Sequence, residues 1–321
     1  MLTILRQAFR RTAQNWKIVL LIFIVNFGLG LFIAFPAFNI LQTESQNSLA
    51  FDNLVADFDF TVFSDFLRKN GKSLMPLVSI SLILTAVYTI LNVFFSGGIL
   101  SQFTIRDTFR LPDFLKNSAH YFWKFLLLFL IQLLFFLLAL GVCVVLFGVF
   151  GAIGYGDTET KFFAWMIPPI VFAFFYITYL LNVGEYAKVL LHRDTLLNPW
   201  KAFWKASSYV FTNFKTMQVY WSVLLVSFLL LLLYLLLESS IGMTSGFTIW
   251  LMFLIQQIFV FSRVFVKVWN LSNAYDYVSL KPIPLTVKLP INAIIIEHKV
   301  EEEIDNETSV EEGEQENKLS E

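Results

Sequence analysis

Long apolar runs alternate with short polar segments from the N-terminus to about residue 280. A helix of about 22 residues rises about 33 Å, enough to cross a hydrocarbon core of about 30 Å. Closed barrels, the other structures that can cross a membrane, use strands of only about ten residues. The pattern therefore predicts an all-α polytopic membrane protein with six transmembrane helices, at residues 18–38, 76–99, 125–150, 162–183, 219–237 and 247–268.

The composition also favours a membrane protein. Hydrophobic residues make up 57% of the 321-residue chain and charged residues 15%, whereas soluble domains hold about 45–50% and about 25%. A soluble protein of this size could not bury so many apolar side chains, so lipid must cover part of the surface. The 37 Phe residues suit a lipid-facing surface.

Lys and Arg are divided unevenly between alternate polar segments. Four segments hold 17 of these residues, and the three segments on the opposite side hold 4. Because basic loops stay in the cytoplasm, the division predicts that both termini are cytoplasmic. The first apolar run lacks a clear signal-peptide cleavage site, so we interpret it as an anchor. The basic segments are 1–17, 100–124, 184–218 and 261–289, and the others are 39–75, 151–161 and 238–246.

The chain also shows signs of a threefold repeat, over about 1–100, 105–193 and 198–280. Each unit would contain an amphipathic interfacial helix, which ends at an aromatic-Lys pair, and two spans. These pairs suit the lipid–water boundary, where the ring meets the headgroups and the Lys extends outward. The predicted interfacial anchors are Trp16, Lys17, Trp123, Lys124, Phe214 and Lys215.

Local signals mark the starts of the second and third interfacial helices. Pro112 and Pro199 suit a first helical position, and Asn198 is a good N-cap before Pro199. In the external segment 39–75 we expect a short amphipathic surface helix, with an irregular loop as the alternative. Its apolar positions at helical spacing are Phe51, Leu54, Val55, Phe58 and Phe66.

The composition changes after the last span. Residues 281–296 contain three prolines by Pro290 and predict an extended linker. Residues 297–321 hold eleven Asp and Glu against two Lys, a net charge of −9, so the rest of the chain carries +8. This acidic tail should be disordered and cytoplasmic. It could attract a cytoplasmic or membrane protein partner, or be a solvated tail without one.

Polar residues within the spans are candidate functional residues. Amides at such positions usually bond across helices, and the alternative is a polar lining for a substrate path. At the cytoplasmic end, we predict that Glu185 pairs with Arg263 or Lys267. The candidate intramembrane polar cluster consists of Asn26, Gln132, Gln256 and Gln257.

No motif points to a catalytic, cofactor or metal site. Gly154-Tyr155-Gly156 resembles a potassium-channel filter, but the residues before it belong to a span and leave no room for a pore helix. The three His are scattered, and the single Cys143 lies within an apolar run. A membrane-embedded enzyme would need a convergent set among Asp107, Asp113, His120, Glu185, His192 and Asp194, and their spacing does not bring them together.

The layout of residues 1–280 resembles uncharacterised six-span bacterial membrane families, including the membrane domain that precedes some glycerophosphodiester phosphodiesterases. The resemblance rests on the topology and on the aromatic-Lys entries to the spans. It implies a prokaryotic cytoplasmic (inner) membrane and a non-catalytic role. The soluble phosphodiesterase domain of that family is absent here, so no activity or residue is carried over.

Two functions fit these features. The first is a non-enzymatic membrane scaffold or accessory subunit, bound to membrane lipids and to a protein partner but not to nucleic acid. The second is a permease or exporter of a small or lipid-like molecule. A permease should show a polar cavity that joins the four amides, whereas a scaffold should show them bonded in pairs without a cavity.

Overall fold

The structure is a computed structural model that describes residues 2–47, 59–104, 109–156, 158–242 and 245–283. These residues form an all-α bundle, as predicted, within one compact unit spanning Met1–Pro282. Most of the predicted linker and the whole acidic tail lie outside the described residues. The helices are α1 (Leu2–Gln14), α2 (Trp16–Asn47), α3 (Phe60–Thr104), α4 (Leu111–Gly154), α5 (Glu159–Arg193), α6 (Pro199–Thr212), α7 (Lys215–Ser240) and α8 (Gly246–Leu280).

Six of these helices, α2, α3, α4, α5, α7 and α8, are long and apolar enough to cross a membrane. This confirms the predicted number of membrane-spanning helices. In the most apolar 18-residue stretch of each, at most 17% of the residues are buried by protein. Phe32, Leu82 and Leu140 are each more than 60% exposed. So much exposed apolar surface is typical of faces that lipid covers.

The protein core lies at the end of the bundle where α1 and α6 pack. Nearly all buried residues of α5 fall between Thr178 and Leu191, and nearly all of those of α8 between Val264 and Val278. Helix α1 packs on α8, and α6 packs on α5. The two short helices thus surround the best-packed end of the spans, whereas the opposite end buries few side chains.

Polar contacts anchor α1 to α8. Arg11 Nη2 lies 2.8 Å from Asp276 Oδ1, and the Asp276 side chain is only 2% exposed. The Trp269 indole donates a hydrogen bond to the Leu5 carbonyl at 3.1 Å. Because a buried charge without its partner is costly, the ion pair fixes the position of α1 along α8.

Two side chains bind carbonyl groups at the C-terminal end of α8. Arg193 Nη1 donates to the Val278 carbonyl at 3.1 Å, and the Tyr209 hydroxyl donates to the Lys281 carbonyl at 3.0 Å. Burial, together with the nearby Tyr277, raises the pKa of Tyr209 to about 12. The hydroxyl therefore keeps its proton at neutral pH. These bonds satisfy carbonyls that have no partner within the helix.

Asparagines end the helices that precede two of the three aromatic-Lys pairs. The Asn15 amide donates to the Arg11 carbonyl at 2.9 Å, and the Asn213 amide donates to the Tyr209 carbonyl at 3.0 Å. An Asn side chain competes in this way with the helical backbone. A helix therefore ends at each of these positions and a spanning helix begins.

The second pair behaves differently. Helix α4 runs without interruption from Leu111 to Gly154, so the expectation that a helix ends at Trp123-Lys124 is wrong. The residue before this pair is Phe122, which has no side-chain amide to compete with the backbone. The threefold repeat remains a prediction.

The helix-start signals are confirmed. Asn198 caps α6, and its Oδ1 accepts the Trp200 N–H at 3.1 Å, with Pro199 as the first helical residue. Pro112 lies in the first turn of α4. The side-chain oxygen of Asn198 at the N-cap thus satisfies a backbone donor that has no partner within the helix.

The described part of segment 39–75 is almost entirely helical, because α2 continues to Asn47 and α3 begins at Phe60. At the start of α3, Asp59 Oδ1 accepts the Thr61 N–H at 2.7 Å. The predicted surface helix falls mainly on residues 48–58, which lie outside the described residues. Its last apolar position, Phe66, is buried within α3.

Helices α3 and α4 approach each other closely at Gly98. A Cβ at this position would lie 2.6 Å from Phe114 Cε2 and would also meet the Ser118 hydroxyl. A Cβ at Gly141 of α4 would meet nothing within 4 Å. A side chain would therefore clash at Gly98 but has open space at Gly141.

We expect Gly98→Ala to lower the thermal unfolding temperature of the purified, detergent-solubilised chain. The added methyl group overpacks the α3–α4 contact, at a cost of about 1–3 kcal/mol. The matched control is Gly141→Ala, which should leave the temperature unchanged or raise it slightly, because Ala favours a helix over Gly by about 0.5–1 kcal/mol. Equal melting temperatures for the two variants would contradict the close approach.

Candidate functional site

A chamber of about 570 Å³ lies between α2, α3, α7 and α8. It lies toward the well-packed end of the bundle. Asn26 is ten residues after Trp16, about 15 Å along α2, and Tyr220 is six residues after Phe214. No Asp or Glu lines the chamber among the described residues. Its polar lining consists of Asn26, Tyr88, Tyr220, Ser227, Arg263, Lys267 and Asn270.

Two cations of α8 line this chamber. Arg263 and Lys267 are four residues apart, so they lie on the same face of the helix. Lys267 donates to the side-chain oxygen of Asn92, and its Nζ lies 5.8 Å from the centre of the Tyr88 ring. The Arg263 guanidinium lies 5.9 Å from the centre of the Phe259 ring. Both side chains are exposed, so each can meet a ligand.

A smaller cavity of about 170 Å³ shares Lys267 with the chamber. It lies among α3, α4, α5 and α8, and its polar lining includes Asn92, Gln132 and Lys188. The only carboxylate described beside it is Glu185, which pairs with Lys188 at 2.9 Å. Lys188, Lys267 and, in the adjoining chamber, Arg263 are three cations near this one carboxylate. This region of the bundle is therefore electropositive.

The ion pair differs from the one expected at Glu185. The predicted partner was Arg263 or Lys267, but the structure pairs Glu185 with Lys188, one turn further along α5. A partner three residues away requires no approach of a second helix. Lys267 is still close enough to Glu185 for their charges to interact, although its ammonium bonds to Asn92.

The structure separates the four predicted amides. Asn26 lines the chamber and Gln132 lines the smaller cavity, so the two are linked through the shared Lys267. Gln256 is exposed and Gln257 is half-buried on α8, and neither lines these two cavities. The predicted single polar path through all four amides is therefore not the observed arrangement.

Gln132 has a clear packing role. Its Nε2 donates to the Leu180 carbonyl at 3.3 Å. Directly opposite is Gly184, where a Cβ would lie only 2.6 Å from the same Nε2. The absence of a side chain at Gly184 thus lets the amide reach the α5 backbone, and Gln132 is bonded to backbone rather than to another amide.

An apolar groove of about 490 Å³ adjoins the chamber. The two share Leu224, Ser227, Phe259 and Arg263. Apart from Ser227 and Arg263, every residue of the groove is apolar or aromatic, and the Trp221 N–H is already bonded to Thr178 Oγ1 at 3.3 Å. The remaining lining residues are Phe174, Trp221, Leu225, Phe228 and Leu231.

A separate cavity of about 660 Å³ lies between α3, α4 and α5, at the same end of the bundle. His192 Nε2 lies 3.3 Å from the Ser101 hydroxyl, and the Tyr121 ring lies between His192 and His120, 4.8 and 4.9 Å from their ring centres. Both His were named above as candidates for an enzyme. The described residues that line this cavity include no carboxylate.

Four carboxylates were nominated with these His; Glu185 pairs with Lys188, and the other three do not complete a site. Asp107 lies outside the described residues. Asp113 is in the first turn of α4, where a carboxylate favours the helix dipole. Asp194 accepts the Leu196 N–H at 3.2 Å in the turn between α5 and α6. Neither Asp113 nor Asp194 lines the cavity that contains Ser101.

The predicted interfacial anchors mostly stand on the surface. Trp16, Trp123 and Phe214 are 52%, 70% and 59% exposed, and Lys17 and Lys215 are also exposed. Lys124 differs, because its ammonium donates to the Thr195 carbonyl in the turn between α5 and α6. Its positive charge therefore stabilises a connection within the protein.

Sequence reasoning missed several residues of the electropositive region. The residues that the sequence analysis did not single out are Tyr88, Asn92, Lys188, Tyr220 and Asn270. One signal was available, since two cations four residues apart in an otherwise apolar helix must share a face. The partners on other helices could not be read from the sequence, because they depend on how the helices pack.

Comparison with known proteins adds no relative. The chain matches no protein-family model, no curated protein and no solved structure.

Proposed function

We propose that this chain is a permease or exporter of a lipid-like molecule, which enters the chamber beside α8. The observation that carries the proposal is that Arg263 and Lys267 line one cavity whose described lining contains no carboxylate. A cation within a spanning helix costs about 2.5–3.5 kcal/mol at the helix centre and less toward its ends, and such residues usually mark a ligand site or an ion path. The apolar groove beside the chamber suits a ligand with an apolar part.

The amides meet neither expectation in full, because neither cavity joins all four of them. The open chamber nevertheless favours a permease over a pure scaffold. A scaffold should pair its buried polar groups and leave no cavity between the spans. Asn26 instead lines an open chamber, and Lys267 lies between that chamber and a second cavity. Gln132 alone behaves as a packing residue.

The proposal includes a location. We place the chain in the cytoplasmic membrane of a prokaryote, with both termini and the chamber on the cytoplasmic side, because 15 of 19 loop cations fall on that side when Arg263 and Lys267 of the chamber are left out of the count. In a Cys143→Ser background, an impermeant maleimide should label Tyr155→Cys but not Leu196→Cys in intact cells. The reverse pattern would contradict the orientation.

Lys267→Gln should slow the translocation of phosphatidylglycerol about fivefold. The substitution removes a cation from the chamber while keeping a polar side chain, and one cation near anionic headgroups contributes about 1 kcal/mol. The full-length chain would be reconstituted in liposomes with fluorescent phosphatidylglycerol, phosphatidylethanolamine or phosphatidylcholine. Bleaching of the outer leaflet by dithionite then reports how fast each lipid crosses.

The control variant is Lys201→Gln, which removes the same charge from an exposed position of α6. It should translocate lipid at the wild-type rate. If the wild-type chain moved none of the three lipids faster than protein-free liposomes, the permease proposal would fail.

A second candidate function is a scaffold that recruits a partner through the tail. The sequence supports it, because residues 297–321 carry −9 while the rest of the chain carries +8. An acidic segment attracts basic partners, and the attraction weakens as salt rises.

Truncation of the chain after Ile296 tests this second candidate. The tagged full-length chain and the truncated chain would be purified in mild detergent and their bound proteins identified by mass spectrometry. A scaffold predicts a stoichiometric partner that is lost on truncation and that dissociates from the full-length chain in high salt. The same bound proteins with both chains would contradict a role for the tail.

A further inference from the structure

We infer that the chamber and the adjoining groove together hold one anionic membrane lipid, with its headgroup at Lys267 and Arg263 and an acyl chain along α7. This inference rests on the proposed function and names the ligand of the same site. Three features of the described residues support it, namely the continuity of the two cavities, their polarity and the direction in which the polarity changes.

The two cavities form one continuous space. Leu224 and Ser227 of α7, together with Phe259 and Arg263 of α8, line both of them. A ligand can therefore occupy the polar and the apolar part at once. Arg263 stands at the junction, where a headgroup would join its acyl chain.

The chamber suits an anionic headgroup. Arg263 and Lys267 are like charges on one face of α8, and like charges at this spacing repel each other. An anion between them would relieve the repulsion. Side chains with N–H or O–H donors, those of Asn26, Tyr220 and Asn270, line the same space and can bind phosphate oxygens.

The polarity changes in the direction that a lipid requires. Along α8 the chamber extends from Phe259 to Asn270, whereas the groove reaches only Phe259 and Arg263. Along α7 the groove extends to Leu231, one turn beyond the last chamber residue, Ser227. The polar end thus lies nearer to the packed end of the bundle, and the apolar end lies deeper in the spans.

The groove can accommodate an extended chain. Its α7 residues run from Trp221 to Leu231, a distance of about 15 Å along the helix. They recur at intervals of three or four residues, so they form one apolar stripe. Phe174 of α5 also lines the groove.

Native mass spectrometry of the delipidated full-length chain tests the inference. Phosphatidylglycerol or phosphatidylcholine would be added and the bound lipid counted. We expect one phosphatidylglycerol per chain, bound at least about tenfold more tightly than phosphatidylcholine. The doubly substituted Arg263→Gln, Lys267→Gln chain should lose this preference, because each cation near an anionic headgroup strengthens binding severalfold.

Two further variants separate the charge effect from misfolding. Lys201→Gln combined with Lys215→Gln removes two exposed cations outside the chamber and should keep the preference. Ser227→Phe leaves the charge unchanged but fills the junction of the two cavities, so it should weaken phosphatidylglycerol binding about tenfold. Each variant is first checked for a single gel-filtration peak and a thermal transition.

Several results would overturn the inference. These are equal binding of the two lipids, equal losses in the chamber variant and the surface variant, or full binding by Ser227→Phe. Displacement of the lipid by millimolar inorganic phosphate or glycerol 3-phosphate would identify a soluble anion as the ligand instead. Selective binding without translocation would support the lipid site and contradict only the permease proposal.

Discussion

A cation inside a spanning helix must find a polar partner or a polar cavity, because lipid offers it neither. Helix α8, which is long and apolar enough to cross a membrane, carries two cations, and neighbouring helices present polar or aromatic groups to Lys267. Asn92 of α3 accepts a hydrogen bond from Lys267, and the ring of Tyr88 lies beside the same ammonium. Arg263 opens onto the chamber. The helices around α8 therefore leave polar space where an all-apolar bundle would close.

The fixed end of the bundle makes this space possible. Helix α1 is held on α8 by the Arg11–Asp276 pair, and Arg193 and Tyr209 bind the C-terminal carbonyls of α8. With α8 held at that end, its cations stay at one depth. The other half of the spans has few buried side chains, which is typical of surfaces that lipid covers.

Some of these features could be predicted because they depend on local sequence. The six spans follow from the length of the apolar runs, and Asn198 caps α6 because a side-chain oxygen before a Pro at N1 is a local signal. The partner of Glu185 could not be predicted, because Lys188 and the cations of α8 compete and only the packing decides between them. The chamber itself is the volume that α2, α3, α7 and α8 leave between them, and no single-helix pattern encodes it.

The uninterrupted helix α4 is a further feature that could not be predicted from the sequence. An aromatic-Lys pair was expected to end a helix, yet only the two pairs preceded by Asn do so. The ring and the Lys indicate a depth, whereas both observed breaks occur at an Asn whose side chain bonds a carbonyl of the preceding turn. Depth and backbone geometry are therefore set by different residues.

The electrostatic character of the chamber can be tested directly by the reactivity of a cysteine placed in it. In a Cys143→Ser background, Asn26→Cys would be treated with small thiol reagents of similar size, one anionic and one cationic, and the rates compared with those of the exposed Leu196→Cys. The account predicts a preference for the anionic reagent at Asn26→Cys at least about fivefold greater than at Leu196→Cys, because a positive cleft concentrates anions. The extra preference should fall when Lys267→Gln is added. A preference for the cationic reagent, or no reaction at Asn26→Cys with either reagent, would contradict an accessible, positively charged chamber.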